Sequence, residues 1–264
     1  MQYTATLKKM ITEFGSPIQY YLETETDYLN MNSLLDKKIT IEFDKYQCLS
    51  CKKDKKIFRQ GHCYDCFITS SQVGDWIIKP ELSKAHLEIE DRDLDYEKSV
   101  QLQPHIVYLA SSSNLKVGVT RKTQIPTRWI DQGASQAIAM LETPNRYLAG
   151  VAEVGLKQYV SDKTSWQKML KNEVLQVDLI QEMHRLKAFL PKETQDFFLS
   201  QNTDVYTMDF PVLQYPVKVK SLNLSKTPFI EGTLKGIKGQ YLIFEDGSVF
   251  NVRNNEGNVV NITI

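Results

Sequence analysis

The chain has 264 residues, 42% hydrophobic and 24% charged, with 32 basic side chains against 32 acidic ones. Length and apolar content suffice for two or three modules, while the even charge balance excludes a global pull toward nucleic acid and leaves only local patches to supply one. No apolar run approaches the ~20 residues that span a bilayer, and MQYTATLKKMITEF lacks the apolar centre of a secretion signal; a cytoplasmic protein without membrane contacts is expected.

Residues 1–45 contain YTATLKKMI, IQYYLET and KKITIEF, β-branched and aromatic runs separated by Gly15, Ser16 and Pro17. They predict strands, which bury too little alone and need the other β-rich end of the chain as partner. Residues 46–70 hold all four cysteines as two Cys-x2-Cys pairs, Cys48 with Cys51 and Cys63 with Cys66. Two facing knuckles supply a tetrahedral four-thiolate site, so this stretch predicts a zinc ribbon with structural Zn2+; a redox dithiol would need a βαβ context missing here. Between the pairs lie Lys52, Lys53, Lys55, Lys56 and Arg59, opposed by Asp54. They either meet phosphates or form a solvated tip that offsets thiolate charge. His62 is expected to stand beside the metal without binding it.

Residues 71–103 are weakly patterned, and their acidic run LEIEDRDLDYEK lacks calcium-loop spacing, which predicts a solvated linker. Residues 104–200 form the most informative module. HIVYLA and LKVGVT, joined by Ser111–Asn114, predict two antiparallel strands, with Gly118 leaving room for Tyr108 or a ligand. In IPTRWIDQG, Pro126 and Gly133 bound a short helix that puts Arg128 and Gln132 on one face, with Trp129 as its core anchor. From Asn145 to Ser161 an apolar stripe predicts a longer helix with Glu153 on its flank, and further helices follow to residue 200, broken at Pro191. Residues 212–264 read as about five strands with a two-residue hairpin at Asp246 and Gly247, suggesting a small OB- or SH3-like barrel completed by the N-terminal strands. Tyr241, Phe244, Phe250 and Lys235 are either its core and surface or a stacking face.

The order of parts in residues 104–175 resembles the GIY-YIG nuclease superfamily: Ile106-Val107-Tyr108 and Lys116-Val117-Gly118 stand for the signature tripeptides, followed by Arg128-Trp129 and Glu153, with Asn172 for a late polar residue. More closely, the ribbon with VYLA, LKVGVTR, IPTRWIDQGA and DKTSWQKMLKN looks like an uncharacterised bacterial family, a domain of unknown function grouped with that superfamily. The resemblance implies an α+β fold with a central antiparallel sheet and metal-dependent phosphodiester hydrolysis. Glu153 would hold Mg2+ or Mn2+, Tyr108 would help deprotonate water, and Arg128 would offset phosphate charge. DNA is then a more natural partner than RNA. Relatives carry further Cys and His residues where this chain has Trp76, Ser83, Lys84 and His86, which implies one zinc.

Two departures bear on activity. Lys116 replaces the second tyrosine, and Gln132 stands where many members place a histidine base; both suit phosphate or water contact, but neither is expected to act as a base near neutrality. Three functional readings stand: a zinc-containing nuclease, a non-catalytic nucleic-acid adaptor, and a protein-interaction scaffold with structural zinc.

Overall fold

The computed structural model describes residues 1–160 and 165–264. Its strands and helices in chain order are β1 Gln2–Thr6, β2 Ile11–Glu13, β3 Gln19–Glu23, β4 Tyr28–Asn30, β5 Lys38–Tyr46, β6 Ile57–Arg59, β7 His62–Cys63, α1 Tyr64–Thr69, α2 Leu94–Gln101, β8 His105–Ser111, β9 Leu115–Arg121, α3 Thr127–Asp131, β10 Gln136–Thr143, α4 Arg146–Lys157, α5 Trp166–Leu170, α6 Leu179–Lys187, β11 Tyr206–Thr207, β12 Lys220–Leu222, β13 Phe229–Lys238, β14 Tyr241–Phe244, β15 Ser248–Asn251 and β16 Asn258–Thr263. Helix and sheet are thus mixed, in keeping with the α+β class. The chain divides into two compact units: residues 1–68, 130–133 and 208–264 form one, and residues 69–129 and 134–207 the other.

In the first unit the two β-rich ends share a seven-stranded sheet ordered β1-β16-β5-β13-β14-β15-β12. The long strand β5 is interior because Ile39 and Ile41 alternate with polar residues, so one face is buried while its backbone bonds β16 and β13 on either side. No closed barrel is formed among the described residues. The sheet ends at β1 and β12, and the latter pairs parallel with β15, an arrangement the hairpin-like sequence pattern did not show. Phe244 and Phe250 are core, and Lys235 is held by Asp36 at 2.5 Å and Glu245 at 3.2 Å, so these residues make no stacking face. The β14–β15 connection has three residues, Glu245 to Gly247, instead of two, with Gly247 at φ +80°.

The second unit is built on an antiparallel sheet ordered β11-β10-β8-β9. All seven residues of β8 are buried, because this interior strand is covered on both faces. Val107 and Leu109 join Ile138 and Met140 under Ala149, Ala152 and Leu156 of α4 and Met183 and Leu186 of α6. On the opposite face Tyr108 meets Trp129 of α3 edge-on, with ring centroids 5.8 Å apart. Asn145 caps α4 by accepting the Leu148 N–H at 3.0 Å. The helix ends at Lys157, before the expected Ser161, which lies outside the described residues along with 162–164 of the DKTSWQKMLKN motif.

Residues 71–103 form successive 3-10 turns and α2. Their acidic run is anchored by Glu97, 1% exposed, whose carboxylate accepts the N–H groups of Asp91, Arg92 and Asp93. The buried carboxylate answers three backbone donors that would otherwise lack partners, a role local sequence spacing does not reveal.

Candidate functional site

In the first unit Cys48 and Cys51 sit on a knuckle closed by the Lys52 N–H donating to the Cys48 carbonyl at 2.9 Å. Strand β7 carries Cys63, and α1 carries Cys66. The knuckles are tied together where the Leu49 N–H donates to the Gly61 carbonyl at 2.8 Å. Gly61, at φ +74°, is required: an added Cβ would stand 2.4 Å from Leu49 Cδ1.

The four sulphurs lie within 4.8 Å of one another, and Cys51 and Cys63 are 4.0 Å apart. Tetrahedral zinc with bonds of about 2.3 Å places sulphurs about 3.8 Å apart, so four soft thiolates in this arrangement fit a structural zinc ion. Burial of Cys48 raises its thiol, but backbone N–H groups of Cys63, Cys51 and Ser50 more than offset this and bring it to about 6. Burial, with the neighbouring thiols of Cys63 and Cys51, pushes Cys66 up to about 11. The ligand atoms gathered here are the four sulphurs, without His62.

The five cations between the knuckles are all exposed. Asp54, the acid among them, binds Lys45 of β5 at 2.8 Å, and Lys55 binds Asp65 at 2.7 Å. Lys52, Lys53, Lys56 and Arg59 make no ion pair within 4.0 Å among the described residues.

The second group of residues lies at β9, the free edge of the four-stranded sheet. Lys116 and Gly118 share one face of β9, opposite Ala110 and Tyr108 of β8. A Cβ on Gly118 would be 2.6 Å from the Tyr108 hydroxyl, so glycine is the residue that lets the tyrosine lie flat on the strand. Tyr108 is 1% exposed and closed in by Gly118 and Trp129. Lys116 interacts electrostatically with Arg128 of α3 and Glu153 of α4. Lys116 therefore lies within electrostatic range of both Arg128 and Glu153.

Glu153 is 9% exposed, and its carboxylate is 3.5 Å from the Lys157 ammonium. Burial raises its pKa, Lys157 opposes the rise, and Glu81 adds to it. Burial also lowers Lys116, to about 8, with Arg128 pushing in the same direction and Glu153 against it. A lysine depressed in the folded state binds fewer protons there than when unfolded, so stability is expected to rise with pH from about 8 to about 10.5. Lys238 of the first unit, lowered by burial to about 8, contributes in the same window. Urea unfolding at pH 8 and pH 10 checks this, and the Lys116→Met variant should show a smaller rise.

The remaining sequence-predicted residues fall elsewhere. Helix α3 ends at Asp131, one residue before Gln132, which falls in the segment 130–133 of the first unit. Asn172 is exposed after α5 at φ +59°, a left-handed conformation that asparagine tolerates at a helix end.

Sequence reasoning missed Arg146, Glu81 and His105. Arg146 donates from Nε to the Trp76 carbonyl at 3.0 Å and from Nη2 to that of Ile77 at 2.7 Å, clasping the 3-10 turns against α4. Those turns come so close that a Cβ on Gly150 would meet the Glu81 nitrogen at 2.2 Å. Gly150 and Glu153 are three positions apart on α4 and hence neighbours on its surface, which brings Glu81 toward Glu153. Glu81 Oε2 is buried without a hydrogen-bond partner among the described residues. Burial, with Arg146 and Arg121 adding, lowers His105 to about 4, so it stays neutral and donates from Nδ1 to the Gln103 carbonyl at 2.7 Å. A Gly in a helical stripe was the signal available for this close approach.

No helix among the described residues is long and apolar enough to cross a membrane. A search of curated proteins and one of solved structures each returned no match. The sequence profile of the family described as "Protein of unknown function (DUF2797)" matches residues 36–260, taking in the cysteine knuckles, the β9 edge and Glu153, and the chain belongs to that family.

Proposed function

We propose that the chain is a zinc-stabilised nucleic-acid-binding protein, with DNA as its principal partner and the β9 edge as a seat for a backbone phosphate. The observation that supports this reading is that Lys116 lies within electrostatic range of Arg128 and of Glu153. Two cations drawn together where burial already disfavours charge cost free energy, and a phosphate between them relieves that cost. The GIY-YIG-like order of residues and the flat packing of Tyr108 on Gly118 support the same reading. In titrations of labelled DNA and RNA, Arg128→Ala and Lys116→Met should each weaken binding about tenfold at low salt, within the range for hydrogen bonds to charged groups. A parent protein that binds neither DNA nor RNA at low salt rules the reading out.

A second reading, metal-dependent phosphodiester hydrolysis, is favoured by the partnerless Oε2 of Glu81 in the field of Glu153. Two carboxylates are hard donors that fit Mg2+ or Mn2+, and such an ion, when bound, polarises a phosphoryl oxygen. Lys116 and Arg128 would orient the phosphate and offset its charge. With its pKa lowered to about 8, Lys116 would also give up a proton more readily than an ordinary lysine. Supercoiled and linear DNA incubated with Mg2+ or Mn2+ should be cut by the parent and not by Glu153→Ala; equal cutting by both would remove this mechanism.

A further inference from the structure

The ribbon contributes more than a metal site. Its β6–β7 hairpin and the segments around Asn223 and Arg253 enclose a groove of about 550 Å³ in the first unit. Lys56, Phe58 and Arg59 line one wall, Arg253 and Asn254 another, and Tyr46 lies between. Three cations against the single carboxylate of Glu256 leave the lining positive. Glu256 is itself engaged, since one of its oxygens accepts the Lys9 N–H at 3.1 Å.

The aromatic content is unusual for a solvated tip. Phe58 is 48% exposed although it packs edge-on against Tyr64 at 5.3 Å and Phe67 at 5.2 Å. Those two rings fix the orientation of Phe58, while the Arg59 guanidinium stands 5.5 Å from its centroid. A half-exposed ring held by its neighbours and flanked by cations is a stacking platform with phosphate contacts beside it. The exposed amide of Asn254 adds a donor and an acceptor able to meet a base edge.

We propose that this groove binds unpaired nucleic acid, one base stacking on Phe58 and the flanking phosphates lying against Lys56, Arg59 and Arg253. A duplex keeps its bases stacked within the helix and offers none to Phe58, so the groove selects single strands. The inference rests on the nucleic-acid reading above but concerns a different surface from the β9 edge.

Fluorescence anisotropy with a labelled unpaired oligonucleotide and the blunt-ended duplex it forms with its complement tests it. Phe58→Ala should weaken single-strand binding about tenfold, in line with the loss of one stacked base, and leave duplex binding unchanged. Arg59→Ala combined with Arg253→Ala should weaken single-strand binding and flatten its salt dependence by about one to one and a half in the log–log slope. Zinc content and circular dichroism of each variant, equal to the parent's, establish that the ribbon is intact. Single-strand binding by the parent that both variants retain in full overturns the groove and leaves the β9 proposal standing. A parent that binds no nucleic acid of any kind overturns both.

Discussion

Purified under reducing conditions without chelator, the chain is expected to carry one equivalent of zinc, and Cys63→Ser is expected to lose it together with the ordered structure of the ribbon. Cys63 is 2% exposed, contributes a sulphur to the cluster and donates its backbone N–H to Cys48 Sγ at 3.3 Å. Serine would leave three thiolates and a weakly binding hydroxyl. The ribbon has little else to hold it: β6 and β7 are short, and α1 buries none of its side chains. Structural zinc in such small modules contributes on the order of 10 kcal/mol or more of apparent folding free energy. Elemental analysis and amide exchange of residues 46–69 check the result. Less than half an equivalent in the reduced parent would count against the four-thiolate site. Acid should release the metal, because protons compete with zinc for the four thiolates.

Gly150→Ala is expected to destabilise the second unit by about 4 kcal/mol, toward the upper end of what single substitutions do. Alanine would ordinarily strengthen a helix by about 1 kcal/mol relative to glycine. Here its methyl carbon would stand 2.2 Å from the Glu81 nitrogen and 2.4 Å from the Pro80 carbonyl carbon, backbone atoms with no rotamer to escape into. The 3-10 turns must then leave α4, breaking the two bonds Arg146 makes to Trp76 and Ile77 and carrying Glu81 away from Glu153. Urea unfolding gives the stability. A loss of less than about 1 kcal/mol would mean that α4 and the turns separate without cost.

Much of the candidate site was legible because its signals are local. Cysteine spacing announces the knuckles, alternation announces β8 and β9, and the pairing of Tyr108 with Gly118 follows from a short loop between adjacent strands. What was not legible depends on distant partners. Glu97 reads as one acid in an acidic run until three backbone N–H groups are seen to converge on it. Phe250 and Lys235 suit a stacking face by composition, yet their side chains are claimed by the core and by Asp36 and Glu245. Lys116 reads as an ordinary cation, and only its burial beside Arg128 lowers its pKa to about 8. Open sheet against closed barrel was equally hidden, since it turns on whether β1 and β12 meet, and strand propensity says nothing about that.

The position of β16 bears on how the protein is made. Gln2 faces Thr263, and β5 takes β16 as one of its two neighbours, so the earliest strands to leave the ribosome wait for the latest one before their edges are covered. Closing so long a loop is slow, and unpaired strands are exposed to other nascent chains meanwhile. β1 and β5 therefore keep an unpaired edge until β16 has been made, and pairing with another chain before then competes with folding of the first unit.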